Sequence, residues 1–134
     1  MSETYTPAMR MVVIASLLLA IATMTFVTVS VARAAGALAV GSCGAFGEAY
    51  DFETLAAARD SAMSKCQGEG CKVVATTSKR NCAAFAVDYA NPCGAFGWGR
   101  GAKLGVTQNA ALQACHREGG KECVIRTFFC DAKG

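Results

Sequence analysis

The sequence predicts an α+β domain built from two ββαβ units. Together they form a mostly antiparallel sheet with two helices on one face, stabilised by disulfides and preceded by an N-terminal hydrophobic helix. Three observations predict it. Residues 43–47 read CGAFG, and residues 93–97 read CGAFG again. Each half carries four cysteines in corresponding order, Cys43, Cys66, Cys71 and Cys82 against Cys93, Cys115, Cys123 and Cys130. Residues 11–32 form an uncharged, largely apolar run.

That run is long enough to cross a bilayer as a helix, which takes about 20 apolar residues. It ends in Val31-Ala32-Arg33-Ala34-Ala35, where Ala32 and Ala34 supply the small side chains of an A-x-A signal-peptidase site. Residues 1–34 therefore read either as a cleaved signal peptide or as an uncleaved transmembrane anchor. The first explains the motif, and the second explains the length. Both place residues 35–134 outside the cytoplasm, in the periplasm or on the extracellular side.

The repeat divides residues 35–134 into units at about 36–82 and 83–130. Upstream of each CGAFG, Gly36-Ala-Leu-Ala-Val40 matches Ala83-Ala-Phe-Ala-Val87; downstream, Leu55, Ala62 and Cys66 align with Leu104, Ala111 and Cys115. Composition bias alone would not align all four cysteines. The apolar pentads read as strands, and the turn after each leads into a CGAFG strand, a β-hairpin. The small residues in these strands require a closely packed neighbour, with glycines marking bends or tight backbone approach.

A helix follows over 54–66. There Leu55, Ala58, Ala62 and Cys66 share one face, Arg59, Asp60 and Lys65 turn away, and Thr54 is the N-cap. The second helix, near 104–115, keeps the pattern less well, since Gly105 costs about 1 kcal/mol relative to Ala. Thr107 is its alternative start. The runs CKVVATT and ECVIRTFFC close the units as strands rich in β-branched and aromatic residues.

The run KCQGEGCKVV, then NCAAFAV, GAFGWG and ALQAC with GGKECVIR, resembles the bacterial exported family catalogued as domain of unknown function 4189. The resemblance covers about residues 36–130. It implies a small exported, disulfide-containing domain and supplies no catalytic residue. Cys43 and Cys93 look like additions to the family's usual pattern.

Eight cysteines in an exported domain read as four disulfides, though 105 pairings are formally possible. Cys66 ends a helix and Cys71 opens a strand, so a short turn brings them within bridging reach, and Cys115 and Cys123 occupy the corresponding places. The other four pair either as Cys43–Cys93 and Cys82–Cys130, equivalent positions meeting near a pseudo-twofold, or within units as Cys43–Cys82 and Cys93–Cys130. The repeat favours the first. Zinc is disfavoured, because only one of Cys66-x4-Cys71 and Cys115-x7-Cys123 fits the usual ligand spacing. No thioredoxin-type C-x-x-C is present, and no cofactor motif is recognisable.

Beyond Ala34 there are 11 Lys/Arg and 9 Asp/Glu, a balance that argues against a nucleic-acid partner. His116 is the only histidine. A small exported hydrolase using His116 is the alternative function, but no partner nucleophile is marked, and the reading is non-catalytic. The stretch Gly97-Trp-Gly-Arg-Gly-Ala-Lys103 is the candidate binding patch. Glycines there leave Trp98, Arg100 and Lys103 free to project, and Trp and Arg are enriched at binding hot spots. In the first unit Glu48, Ala49 and Tyr50 replace Trp98, Gly99 and Arg100, so Tyr50 joins the candidate patch. The expected partner is another protein, within a membrane complex if residues 11–32 are retained as an anchor, otherwise met as a free binding protein or inhibitor.

Overall fold

A computed structural model describes residues 34–132. The expected helix over residues 11–32, and the choice between leader and anchor, lie outside these residues. No helix among the described residues is long and apolar enough to cross a membrane. In chain order the elements are β1 (Ala35–Val40), a 3-10 turn (Ser42–Gly44), β2 (Phe46–Phe52), α1 (Leu55–Lys65) and β3 (Lys72–Ser78). The second unit follows with β4 (Cys82–Asp88), β5 (Phe96–Gly101), α2 (Leu104–Arg117) and β6 (Cys123–Cys130).

The ββαβ duplication is present, but the single sheet with both helices on one face is not. The strands form two three-stranded antiparallel sheets, ordered β2-β1-β3 and β5-β4-β6. The sheets face each other and each helix covers an outer face, giving four layers. The central strands show why. Every residue of β1 and β4 is buried, and successive side chains of a strand point to opposite faces. Leu38 and Val40 of β1 join Ala83, Phe85 and Val87 of β4, with Ala75 and Phe129, in one core between the sheets. The alternate residues Ala37 and Ala39 pack with Ala58, Ala62 and Cys66 under α1. Ala84 and Ala86 pack with Ala111 and Cys115 under α2. Each unit covers its small-residue face with its own helix, and its large-residue face needs the other unit.

The two CGAFG copies supply three contacts of this arrangement. Cys43 and Cys93 lie in turns, not in the strands; Cys43 and Gly44 have φ of 54° and 75°, a local reversal before β2 begins at Phe46. Phe46 and Phe96 point between the sheets, with ring centroids 6.0 and 6.1 Å from that of Phe85. Gly47 and Gly97 point the other way, under the helices. A Cβ on Gly47 would collide with the Ala62 carbonyl oxygen, and one on Gly97 with the Cys115 amide and Ala111 carbonyl. Here glycine serves close backbone approach.

Thr54 caps α1 as expected, its hydroxyl accepting from the Ala57 amide at 3.2 Å. The second helix starts at Leu104, not Thr107. Thr107 is fully buried, and its hydroxyl donates back to the Lys103 carbonyl at 2.9 Å, which satisfies it inside the helix. Gly119, at φ 95°, then ends the helix, its amide donating to the His116 carbonyl.

All eight cysteines are bonded, as Cys43–Cys93, Cys66–Cys71, Cys82–Cys130 and Cys115–Cys123. Only Cys43–Cys93 joins the two units. Cys82 does not close the first unit but opens β4, directly opposite Cys130 on β6. Its counterpart in β1 is Ala35, opposite Ser78. The Cys82–Cys130 bridge therefore fastens the second sheet and does not cross the pseudo-twofold, because the unit boundary falls before Cys82.

Four outcomes follow for stability, read by urea denaturation of the oxidised protein. Gly97→Ala forces α2 from its sheet and destabilises by about 1–3 kcal/mol, the range for overpacking. Gly105→Ala, with nothing within 4 Å of the added carbon, stabilises by about 0.5–1 kcal/mol. Replacing Cys43 and Cys93 together by Ser releases a separation of 50 residues and costs about 4 kcal/mol on the chain-entropy model. The same exchange at Cys66 and Cys71, separated by 5, costs about 2 kcal/mol.

Candidate functional site

The repeat creates two equivalent seams where an edge strand of one sheet meets an edge strand of the other. At the first, β2 meets β6, and the seam is filled. The Thr127 hydroxyl donates to Glu48, and the Tyr50 ring stacks on Phe129 with centroids 5.7 Å apart. At the second, β5 meets β3, with Trp98 and Arg100 standing where Glu48 and Tyr50 stand in the first unit. The alternation of Gly97-Trp98-Gly99-Arg100-Gly101 dictates their direction. Gly97 and Gly99 are buried against α2, so the side chains between them must project away from it.

This second seam is open. A cleft of about 480 Å³ is lined by Trp98 and Arg100 from β5, residues 73–76 of β3, and Arg59 from α1. Trp98 is 42 % exposed. The Arg100 guanidinium donates to the Thr76 carbonyl at 3.1 Å, which holds it across the edge of β3. A neighbouring hollow of about 330 Å³ shares Thr76 and Arg100 and adds Leu55, Ser78 and Asn81 to its wall. Neither depression is lined by a carboxylate. Two guanidinium groups beside an exposed indole suit a partner with a carboxylate next to apolar surface.

Of the four patch residues read from the sequence, the structure brings Trp98 and Arg100 together. Lys103 is exposed at the N-cap of α2 and does not line the cleft. Tyr50 belongs to the opposite, filled seam. Arg59 was not legible as a site residue. Helical periodicity turns it away from the core, correctly, but only the packing of α1 beside β3 carries it to the cleft rim. His116 is exposed and lies outside the cleft. Its ring Nδ1 is 2.8 Å from the Gly120 carbonyl, so that nitrogen donates there and serves the turn after α2. Among the described residues no group of three or more His, Cys, Asp or Glu is placed to hold a metal ion.

One carboxylate is displaced from its ordinary titration. Asp88, at the end of β4, accepts from the backbone amides of Lys121, Ala90 and Glu122 at 3.2, 3.1 and 3.4 Å. These bonds, that from Lys121 foremost, hold its pKa below the usual carboxylate value against the opposing effect of burial. They fasten the turn after β4 to the turn before β6, where the Tyr89 amide also donates to the Glu122 carbonyl at 2.9 Å.

The four layers, the duplicated units and the bridged turns define a disulfide-bonded tandem ββαβ domain. A family model described as Domain of unknown function (DUF4189) matches residues 35–130, and the chain belongs to that family. No curated protein matches it, and neither does any solved structure.

A group whose folded pKa is depressed contributes stability above its unfolded pKa, and that contribution disappears as pH falls through the folded value. The Asp88 contribution is therefore complete above about pH 4 and lost below it. In melting curves from pH 7 to pH 2, Asp88→Asn will be less stable than wild type at neutral pH, and the two will converge in acid. A constant difference across that range would assign the effect to something other than the carboxylate charge.

Proposed function

We propose that the domain is an exported, non-catalytic interaction module that binds another protein through the Trp98–Arg100 cleft. The observation that carries this reading is the contrast between the seams. The same strand positions hold a hydrogen-bonded and ring-stacked pair in one half and an exposed indole with a guanidinium in the other. Exposure does not separate them, Tyr50 being 49 % and Trp98 42 % exposed; the difference is that the Tyr50 ring stacks on Phe129, while Trp98 and Arg100 border a cleft of about 480 Å³. Trp and Arg in a partly enclosed site are the residue types that dominate binding energy. The partner suited to the cleft presents a carboxylate beside an apolar side chain, meeting Arg59 and Arg100 with charge and Trp98 with surface.

The complete set of disulfides fits an oxidising compartment. The finer assignment depends on residues 11–32. If they are retained, the protein is a single-span accessory subunit on the outer face of a membrane complex; if they are removed, it is a free periplasmic or secreted binding protein or inhibitor.

Photo-crosslinking from position 98, in cells expressing the full chain, should trap a discrete partner, while the same probe at Val106, exposed on α2, should not. With that partner purified, Trp98→Ala and Arg100→Ala should each weaken binding by about 30-fold or more, the effect of losing a 2 kcal/mol hot spot. Melting temperatures should stay unchanged. Equal trapping from both positions, or alanine variants that bind as wild type, would remove the cleft from consideration.

A further inference from the structure

Asp131 follows the last strand and is 1 % exposed. One carboxylate oxygen accepts from the Asp51 amide at 3.2 Å. The other, Oδ2, is buried and has no hydrogen-bond partner among the described residues. Buried polar groups are nearly always paired, and an unpaired carboxylate oxygen is among the least favourable exceptions.

Its position in the fold points to what would pair it. Across the filled seam, β6 runs beside β2: Thr127 meets Glu48, Phe129 meets Tyr50, and Asp131 meets Asp51. β2 in turn pairs with β1, Ala49 opposite Ala37 and Phe52 opposite Ala35. Asp131 thus lies beside the end of β2 that pairs with the start of β1. The inner face is shared, since the Phe129 ring occupies the space a Cβ on Gly36 would need. On the other flank of β1, Thr77 pairs with Gly36, and its hydroxyl is also buried and without a partner. Two unsatisfied polar side chains therefore bracket the start of β1.

The start of β1 is also the bond that the Ala32-x-Ala34 motif marks for signal peptidase. We infer that hydrolysis of the Ala34–Ala35 bond supplies the missing partner. Water adds across the peptide, Ala34 leaves with a carboxylate, and the Ala35 nitrogen becomes an ammonium with three donors. That ammonium pairs with Asp131 Oδ2, with Thr77 Oγ1 as its second acceptor. Removal of the leader then completes the polar interior of the domain as well as releasing it. This inference rests on the export reading in its cleaved form and is independent of the cleft.

The other charged or titratable side chains around this position are Glu48, Tyr50 and Asp51 on β2, Glu53 after it, Lys79 and Arg80 in the turn after β3, and Arg100, which lines the same hollow as Ala35 and Thr77. Asp51 accepts from the Ala132 amide at 2.8 Å.

The test uses the full chain exported from a bacterial host. Intact mass should show a mature species beginning at Ala35 with four disulfides. Selective acetylation of the α-amine in denaturant, where it titrates near its ordinary ~8 and below the lysines, followed by refolding with the disulfides intact, should lower the melting temperature by roughly 5 °C or more in wild type. It should have no such effect in Asp131→Asn. A different first residue, or a retained leader, overturns the inference through the export reading. An Ala35 terminus whose acetylation acts equally in both proteins overturns the ion pair alone. Should Asp131→Asn fail to fold, NMR titration of the wild-type amine decides. An ammonium held by Asp131 titrates above the ordinary ~8, its stabilisation present below that value and lost as pH rises through the raised one. An ordinary value overturns the pairing.

Discussion

The close approach of each helix to its sheet governs the rest of this domain. At Gly47 and Gly97 the helix backbone occupies the space that a Cβ would need, and beneath the helices the central strands present only Ala37, Ala39, Ala84 and Ala86, larger side chains such as Val73 and Ile125 coming from the edge strands. Large apolar side chains are driven to the opposite face, where Leu38, Val40, Phe85, Val87 and Phe129 form the inner core. That division makes each unit incomplete alone. A sheet with a helix on one side and bare large side chains on the other must find a second such sheet, and the duplication provides it. The four layers are thus a consequence of where the small residues fall in the alternation.

The same constraint orients the candidate site. In the second strand of each unit, every other residue must be small to fit under the helix, so the residues between project across the seam to the other sheet. Their chemistry is free of the helix-packing requirement, and there the halves diverge. Glu48 and Tyr50 use the freedom to join the sheets. Trp98 and Arg100 face the edge of β3 with an open cleft beside them, and Arg59 from α1 gives it a second positive group. The two copies of the seam therefore differ in their side chains: one is bridged by Glu48–Thr127 and Tyr50–Phe129, the other by Arg100–Thr76 with a cleft beside it.

The disulfides divide their work along the same lines. Cys66–Cys71 and Cys115–Cys123 join each helix end to the strand that follows. Cys82–Cys130 fastens the second sheet, and Cys43–Cys93 alone joins the units, at the turns before β2 and β5. A domain of about 100 residues with so much of its core in alanine and glycine buries little apolar volume per residue, and cross-links that restrict the unfolded chain matter accordingly.

Much of the local structure was legible in the sequence for identifiable reasons. The paired CGAFG motifs and the matched cysteines revealed the duplication, helical spacing around Ala58 and Ala62 gave α1, and Thr54 gave its cap. Thr107 misled because a threonine ahead of an apolar run resembles an N-cap. Its hydroxyl instead bonds back to Lys103 within a helix already begun, and that bond leaves no sequence pattern. The open alternation Gly-Trp-Gly-Arg-Gly marked Trp98 and Arg100, but Lys103 and Tyr50 were grouped with them by nearness or alignment, neither of which measures distance across a seam. By itself, the sequence determined the repeat, the strands and helices, and the small-residue faces, all of which depend on neighbours a few residues apart. The tertiary structure alone decided that there are two sheets instead of one, that the helices lie on opposite sides, and that Arg59 reaches the cleft while Asp131 is buried beside β2. Those outcomes depend on which face of one unit meets which face of the other, and a strand's alternation records that it has two faces without recording what each will touch.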